Sequence, residues 1–458
     1  MTWGSSKSYS SKTGAYPKTI VSWIFISVAG LVLLRSLVSW DLELNNTLTS
    51  SYSKSTSVPT YSKSTSVPNA TSIPSFDSDC DLYDGTWIHD PTIKPAYTEA
   101  CPFMSSKLKC QANGRPDKEY LNWRWKPSQC DLPPFDGMQF LGLLSEKTIA
   151  FIGDSISRNF MESLLCTLQQ VFTYTLFNLH LKSKKQSHSC AFLQVEDPVI
   201  GSNRRMKIYD FEKSFVKIVR IWSSRLINET HGDFSTDGVS KLHLDVPDQH
   251  FIDLIPQFDV IVLSSGPWFE KPAMKLLNNE VVRLNMTQAY GISVETVLTS
   301  IVTHPQYKGI TILSSYSPKH FAGGDWNEGG TCSGNVMPIG AGELVENKDT
   351  NKAMHEAQVM GFNNAIKKKK NKSKLRLMDI TQAFEYRRDG HPGRYDNPTK
   401  QTQPGPVRKS KPEDCLHWCM PGPVDTWNQF MLQILIDEIE GKQIVADAEN
   451  FESEGKNS

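Results

Sequence analysis

The chain has 458 residues, 39% of them hydrophobic, with 49 basic and 49 acidic side chains and so no formal net charge. That length supports one large core or two domains, and the charge balance excludes a global field that would draw the protein to nucleic acid or an acidic polymer. The nine cysteines, all at Cys80 or beyond, lack the paired spacing of a zinc site (Cys415 and Cys419 have no matching second pair), so disulfides in an oxidising compartment are expected and a metal is not.

In chain order, the first feature is the span 20–40. Residues 20–34 carry no charge, and Arg35 near the far end can snorkel to lipid head groups, so the span is long enough to cross a bilayer. Lys7, Lys12 and Lys18 precede it; Asp41 and Glu43 follow. The positive-inside rule leaves a cytosolic tail, 1–19, and a lumenal remainder. A cleaved signal peptide is the competing reading; no small-residue cleavage pattern follows the apolar run, which favours an uncleaved single-pass anchor. Residues 41–79 read as a flexible stem. The octapeptide beginning at Tyr52 returns from Tyr61, and such a Ser/Thr/Pro-rich repeat cannot bury a core. Asn-x-Ser/Thr sequons at Asn45, Asn69, Asn228, Asn285 and Asn371 agree with lumenal exposure as N-glycosylation candidates.

Residues 80–135 are rich in Cys, Trp and Pro and read as a cap packed on the main domain, 136–445; a disordered tail, 446–458, is expected to follow. From 148 the pattern becomes α/β. Apolar runs at 148–152, 260–264, 310–314 and 375–380 suit buried parallel strands, and 156–171, 291–302 and 426–440 suit helices. Alternation of the two implies a mostly parallel sheet covered on both faces. The basic run from Lys367 to Arg376 reads as a solvated helix end or loop.

Two short stretches carry chemistry. The strand 148–152 ends in Gly153-Asp154-Ser155, and helix-forming residues follow at once. A hydroxyl on that turn is exposed at the carboxyl edge of the sheet, and the free N–H groups of Asp154 and Ser155 at the helix start can stabilise an oxyanion. Downstream, Asp414-Cys415-Leu416-His417 supplies an acid and an imidazole three residues apart, which on a helical turn face the same way. Asp414 then orients the His417 ring, and His417 takes the proton of Ser155. Each piece has a bland reading: Ser155 as an N-cap, His417 as a packed structural histidine. Their joint presence favours catalysis. Arg158 and Asn159, one turn beyond Ser155, are weaker candidates for substrate or oxyanion contact. Trp268, Phe269, Trp326 and Trp427 are candidates for a sugar-lined groove, though burial is the commoner fate of an aromatic side chain.

Phe151 to Asn159 with Met161 to Cys166, the C-terminal Asp414 to Cys419 with Pro421 to Asn428, and, in the cap, Cys80 to Trp87 with Trp123 to Pro127 together resemble the plant trichome birefringence-like polysaccharide O-acetyltransferases of the SGNH/GDSL hydrolase-like superfamily, over roughly residues 80–439. The resemblance implies a three-layer α/β/α sandwich and disulfides Cys80–Cys130, Cys101–Cys166, Cys110–Cys419 and Cys332–Cys415, with Cys190 left over. It implies that Gly266 lends a backbone N–H to the oxyanion hole, while Pro267 beside it has none to give. It further implies a Golgi membrane protein that moves acetyl to a wall polysaccharide, xyloglucan or a related hemicellulose, from acetyl-CoA or a derived donor, with no bound cofactor. A carbohydrate esterase of GDSL type and a non-catalytic polysaccharide-binding protein on the same scaffold are the alternatives.

Overall fold

The computed structural model describes residues 80–180, 193–195, 205–211, 215–230, 239–340, 343–397 and 412–454. The span 20–40, the stem, the sequons at Asn45 and Asn69, and Cys190 lie outside them. Among the described residues no helix is long and apolar enough to cross a membrane.

A seven-stranded sheet organises the main domain. Its strands are β3 (Thr148–Gly153), β4 (Leu193–Val195), β5 (Met206–Phe211), β6 (Val216–Trp222), β9 (Val260–Ser264), β12 (Ile310–Ser314) and β13 (Lys374–Met378). They lie in the order β13-β12-β9-β3-β6-β5-β4. The five from β13 to β6 run parallel, and β5 and β4 close the edge antiparallel. The expected strands at 148, 260, 310 and 375 are four of the five parallel ones. The first three read as apolar runs because both of their faces are covered, whereas β13, at the sheet edge, carries Lys374 and the exposed Arg376.

β3 shows how the layers form. Ile149 and Phe151 point to one face, Ala150 and Ile152 to the other, and all four are fully buried. The first pair joins a cluster with Phe160 and Leu164 of α2 (Ser155–His180) and Phe430 and Met431 of α5 (Asp425–Glu454). The second pair joins a cluster with Val294 and Leu298 of α3 (Met286–Thr303) and Met354 and Phe362 of α4 (Lys348–Lys367). The result is an α/β/α sandwich. A short helix, α1 (Gly137–Leu143), capped by Asp136, leads into β3. A four-stranded sheet of β7 (Ile227–Thr230), β8 (Lys241–Pro247), β10 (Met274–Leu277) and β11 (Glu280–Val282) flanks the domain in the order β11-β10-β8-β7.

The cap forms a hairpin, β1 (Gly85–His89) against β2 (Trp123–Pro127), and Leu82, Tyr97, Met104 and Trp125 sit in the same core cluster as Ile149 and Phe151. The disulfides are Cys80–Cys130, Cys101–Cys166, Cys110–Cys419 and Cys332–Cys415, the four pairs implied by the resemblance. Cys101–Cys166 ties the cap to α2, and Cys110–Cys419, 309 residues apart in sequence, ties it to the loop carrying His417. Replacing both Cys110 and Cys419 by alanine is expected to cost about 2–5 kcal/mol, read as a lower denaturant midpoint under non-reducing conditions.

Two expectations are corrected. α5 continues to Glu454, so residues 446–454 are helical and not a disordered tail; beyond Gly441 the stretch has no proline and is rich in Ala and Glu, both good helix formers. The basic run is divided among three settings. Lys367 ends α4, Lys368 pairs with Glu295 at 2.5 Å, and Lys374 and Arg376 on β13 pair with the buried Glu438.

Candidate active site

The turn after β3 is shaped by the approach of β9. Gly153 has φ +151°, and a Cβ there would stand 1.8 Å from the Ser264 carbonyl oxygen. The Asp154 N–H donates to that same oxygen at 3.3 Å. Asp154 is buried, and its Oδ1 accepts the Ile156 N–H at 2.9 Å, which fixes the start of α2 and leaves Ser155 as its first residue. Burial pushes the Asp154 carboxyl up to about 7, against the N–H groups of Ile156, Ser157 and Gly266 and the charge of His417. Asp154 Oδ2 is buried and has no hydrogen-bond partner among the described residues.

Ser155 Oγ lies 2.7 Å from His417 Nε2. His417 Nδ1 lies 2.8 Å from Asp414 Oδ2 and 3.0 Å from Oδ1. A carboxylate only accepts, so the proton sits on Nδ1; Nε2 then accepts from the Ser155 hydroxyl. The expected offset is right, but its geometry is not helical. Residues 412–419 contain no helix. Asp414 Oδ1 instead accepts the backbone N–H groups of Leu416 (3.3 Å) and His417 (2.9 Å), a side-chain-closed turn that folds the ring back over the carboxylate. Asp414 is itself held by a two-way backbone bridge to Gly393.

Burial pushes the His417 imidazole down, but the charge and hydrogen bond of Asp414 outweigh it, and the ring is held above an ordinary histidine. Burial pushes Asp414 up, yet the charge of His417 with three hydrogen bonds from the turn holds it well below the usual carboxylate range. Asp414 therefore stays a carboxylate, and the imidazolium form of His417 is stabilised once a proton arrives.

The loop bearing His417 is braced on every side. Cys415 and Cys419 are both cross-linked. The Trp418 N–H donates to Asn159 Oδ1 at 2.8 Å, and the Trp418 indole donates to Ser317 Oγ at 2.9 Å. Asn159 is wholly buried and joins the helix of Ser155 to the loop of His417 through its Oδ1, while its Nδ2 has no partner among the described residues. Asn159→Ala is expected to leave the Trp418 N–H unpaired, cost about 1–3 kcal/mol and slow turnover; thermal melts alongside initial rates check both. Arg158, 30% exposed, is steadied by Glu162 at 3.7 Å. Glu162 in turn accepts the N–H and hydroxyl of Ser105 in the cap. The charge of Arg158 pushes the His417 imidazole down.

Sequence reasoning missed His391 and His320. His391 Nδ1–H donates to the His417 carbonyl at 2.8 Å, and its ring stacks on Trp418 at 4.3 Å. His320 Nε2–H donates to the Glu385 carbonyl, and the rings meet at 2.7 Å through His320 Nδ1 and His391 Nε2. Three contacts need three protons; two neutral rings carry two. Burial pushes His320 down to about 4 and His391 well below an ordinary histidine, and with both outer protons given to carbonyls none is left for the inner contact. Nothing in the local sequence signals this, because the two rings come from loops 71 residues apart.

Among the sugar-groove candidates, Trp427 and Phe269 are buried, while Trp326 is exposed and Trp268 half-buried. Among the sequons, Asn285 caps α3 with a capping box. Asn371 Nδ2 donates to the Ile301 and His304 carbonyls, so a glycan there would displace one of the two bonds.

Residues 132–434 match the GDSL/SGNH-like acyl-esterase family found in Pmr5 and Cas1p, and residues 78–131 match the PMR5 N-terminal domain. Protein YLS7 of Arabidopsis thaliana is 48% identical over 389 residues, covering 80% of this chain and 72% of that protein. Protein trichome birefringence-like 18 of Arabidopsis thaliana is 47% identical over 381 residues, 79% of this chain and 67% of that protein. Protein trichome birefringence-like 25 of the same plant is 34% identical over 388 residues, 81% and 80% of the two chains. With the α/β fold and the serine at the end of its central strand, these matches show that the chain belongs to the trichome birefringence-like family, within the GDSL/SGNH-like acyl-esterases.

Proposed function

We propose that the protein is a polysaccharide O-acetyltransferase that works through an acetyl-serine intermediate. The hydrogen-bonded line Ser155–His417–Asp414 carries this reading. Ser155 Oγ attacks the carbonyl carbon of an acetyl donor as its proton passes to His417 Nε2. The leaving group departs with that proton, and the acetyl group remains on Oγ. A sugar hydroxyl then attacks the ester carbon, His417 takes the hydroxyl proton and returns it to Ser155, and the acetylated sugar leaves. Developing negative charge on the carbonyl oxygen would be met by the Ser155 N–H and by Arg158, since the Asp154 N–H, an expected donor, is given to the Ser264 carbonyl and the Ile156 N–H to Asp154. The donor we propose is acetyl-CoA or a carrier derived from it, and the acceptor a wall polysaccharide, xyloglucan or a related hemicellulose.

The four disulfides and the apolar span 20–40 support a lumenal catalytic domain anchored in the Golgi membrane. The second reading is an esterase with water as the acceptor, favoured by the acyl-esterase description of the matching family. Purified lumenal domain given acetylated and unacetylated oligosaccharides separates them: acetyl carried to the unacetylated chain supports transfer, and acetate release with no transfer supports the esterase.

The pH profile follows from His417. It must be neutral to accept the serine proton, and Asp414 holds its pKa above an ordinary histidine. kcat/KM is therefore expected to rise with pH along a limb placed above about 6.5, and Asp414→Asn should move that limb downward as well as lower it. Initial rates from pH 5 to 9 with a small acetyl ester check this.

A further inference from the structure

Beside the Ser155 turn lies a cavity of about 190 Å³. Its walls hang from the two strands that flank β3. Trp222 ends β6 opposite Gly153, with the Ser223 N–H on the Gly153 carbonyl at 2.9 Å. Trp268 follows Gly266 at the end of β9. Both therefore stand at the carboxyl edge of the sheet, where open α/β sheets receive ligands. The two indoles meet at 85° with centroids 5.8 Å apart, forming a corner, and Lys271 Nζ braces Trp268 from 3.5 Å.

The corner is held by a buried guanidinium. Arg225, 3% exposed, donates Nε–H to the Trp268 carbonyl at 3.1 Å and Nη1–H to Glu229 Oε1 at 2.7 Å. One cation thus fixes the aromatic wall and an acidic wall together. Ser224 donates to Glu229 at 3.0 Å, and Ser223 donates to Asp248 at 2.8 Å. Burial pushes Glu229 up, but hydrogen bonds from Ser240, Arg225 and Ser224 and the Arg225 charge hold it below the usual carboxylate range. Arg205 closes the other side, 3.9 Å from Asp248.

From this arrangement we infer that the cavity is a subsite for one neutral pyranose ring of the acceptor chain, an inference that rests on the proposed transfer to a polysaccharide. An indole face attracts the partly positive C–H edge of a sugar ring. The carboxylates of Glu229 and Asp248 accept from hydroxyls, and Arg205 donates to them. Arg205 and Arg225 each stand against a carboxylate, Asp248 and Glu229, and Lys271 lies over the Trp268 ring, so the three cations around the cavity are already engaged within the protein and leave none free for the phosphates of a nucleotide donor or for a uronate. Its volume falls below the roughly 300–1,000 Å³ of sites that enclose a whole ligand, as suits one ring of a chain that continues through solvent toward Ser155.

Asn228, a sequon, also lines the cavity. A glycan there would fill it, and the subsite requires Asn228 to be unmodified. The test uses the disulfide-intact lumenal protein carrying Ser155→Ala, so that no turnover intervenes, titrated calorimetrically with xylohexaose, cellohexaose, mannohexaose and, as a charged control, hexagalacturonate. At least one neutral hexasaccharide should bind. Trp268→Ala should weaken it at least about tenfold, Trp268→Phe should restore most of the loss, and Arg205→Ala should weaken it severalfold. Quenching of tryptophan fluorescence by the sugar in the Ser155→Ala protein reads the same contact without relying on the Trp268 variants folding. No neutral binding, preference for hexagalacturonate, binding indifferent to Trp268 and Arg205, or a glycan on Asn228 by peptide mass would each overturn the subsite. Failure of the transfer chemistry would show separately, as absence of acetyl on Ser155 in the unsubstituted protein.

Discussion

Ser155→Ala is expected to lower acetyl transfer by on the order of 10⁴-fold or more, with the fold intact. The hydroxyl is the only group on the β3–α2 turn placed to receive an acetyl from the donor while its proton leaves to His417 Nε2, 2.7 Å away. Alanine removes the nucleophile but none of the groups that build the turn: Asp154 still caps Ile156, and Gly153 still meets Ser264. His417→Ala should cost about as much, since an unassisted serine hydroxyl is a poor nucleophile. Asp414→Asn should also cost on the order of 10⁴-fold, because an amide can leave the ring in the wrong tautomer. The three act as one unit, so a double variant should lose little more than the worse single one. Steady-state rates of the single and double variants, with circular dichroism to confirm the fold, decide it. Transfer within about tenfold of the unsubstituted protein in Ser155→Ala or His417→Ala would contradict the assignment.

Gly153→Ala is expected to be the most damaging single-methyl change in the domain. The added carbon would sit 1.8 Å from the Ser264 carbonyl oxygen, a backbone atom on a central strand that cannot rotate away. The residue also has φ +151°, where an L side chain is strained. Relief requires β3 and β9 to separate, although both are packed on the two faces of the sheet by fully buried side chains. The expected loss exceeds about 4 kcal/mol, lowering the thermal midpoint by more than about 5 °C, and any folded remainder should be nearly inactive because Ser155 moves with the turn. Thermal unfolding followed by circular dichroism measures the first part. A shift within about 0.5 kcal/mol, the range of ordinary surface changes, would show that the strands do not approach as described.

Much of this architecture was readable before any coordinates. Fully buried parallel strands must be apolar on both faces, so the runs at 260–264 and 310–314 stand out from their surroundings and coincide with β9 and β12. Helix α4 was missed because its exposed face is polar and its buried stripe is thin, with Met354, Ala357, Phe362 and Ala365 scattered among Lys, Asn and Gln. The flanking sheet of β7, β8, β10 and β11 was missed because its strands are short and partly exposed.

At the site, an acid three residues before a histidine was visible, but a helical turn was the wrong frame for it. The Asp414 side chain closes the turn itself, and two disulfides hold it. What no local pattern could reveal is orientation. Asn159 stands next to Arg158, yet its Oδ1 turns inward to the Trp418 N–H while Arg158 pairs with Glu162. Neighbours in sequence were given one role and took two, because successive helix positions point about 100° apart.

The central claim is that Ser155 carries the acetyl group between donor and acceptor. Brief exposure of the disulfide-intact lumenal domain to an activated acetyl ester, acid quench and peptide mass spectrometry tests it most directly. The account predicts one added acetyl on the peptide that contains Ser155, lost on addition of acceptor oligosaccharide and absent from the Ser155→Ala protein. Transfer that proceeds with no acetyl ever found on that peptide, or acetyl found equally on the alanine variant, would contradict it.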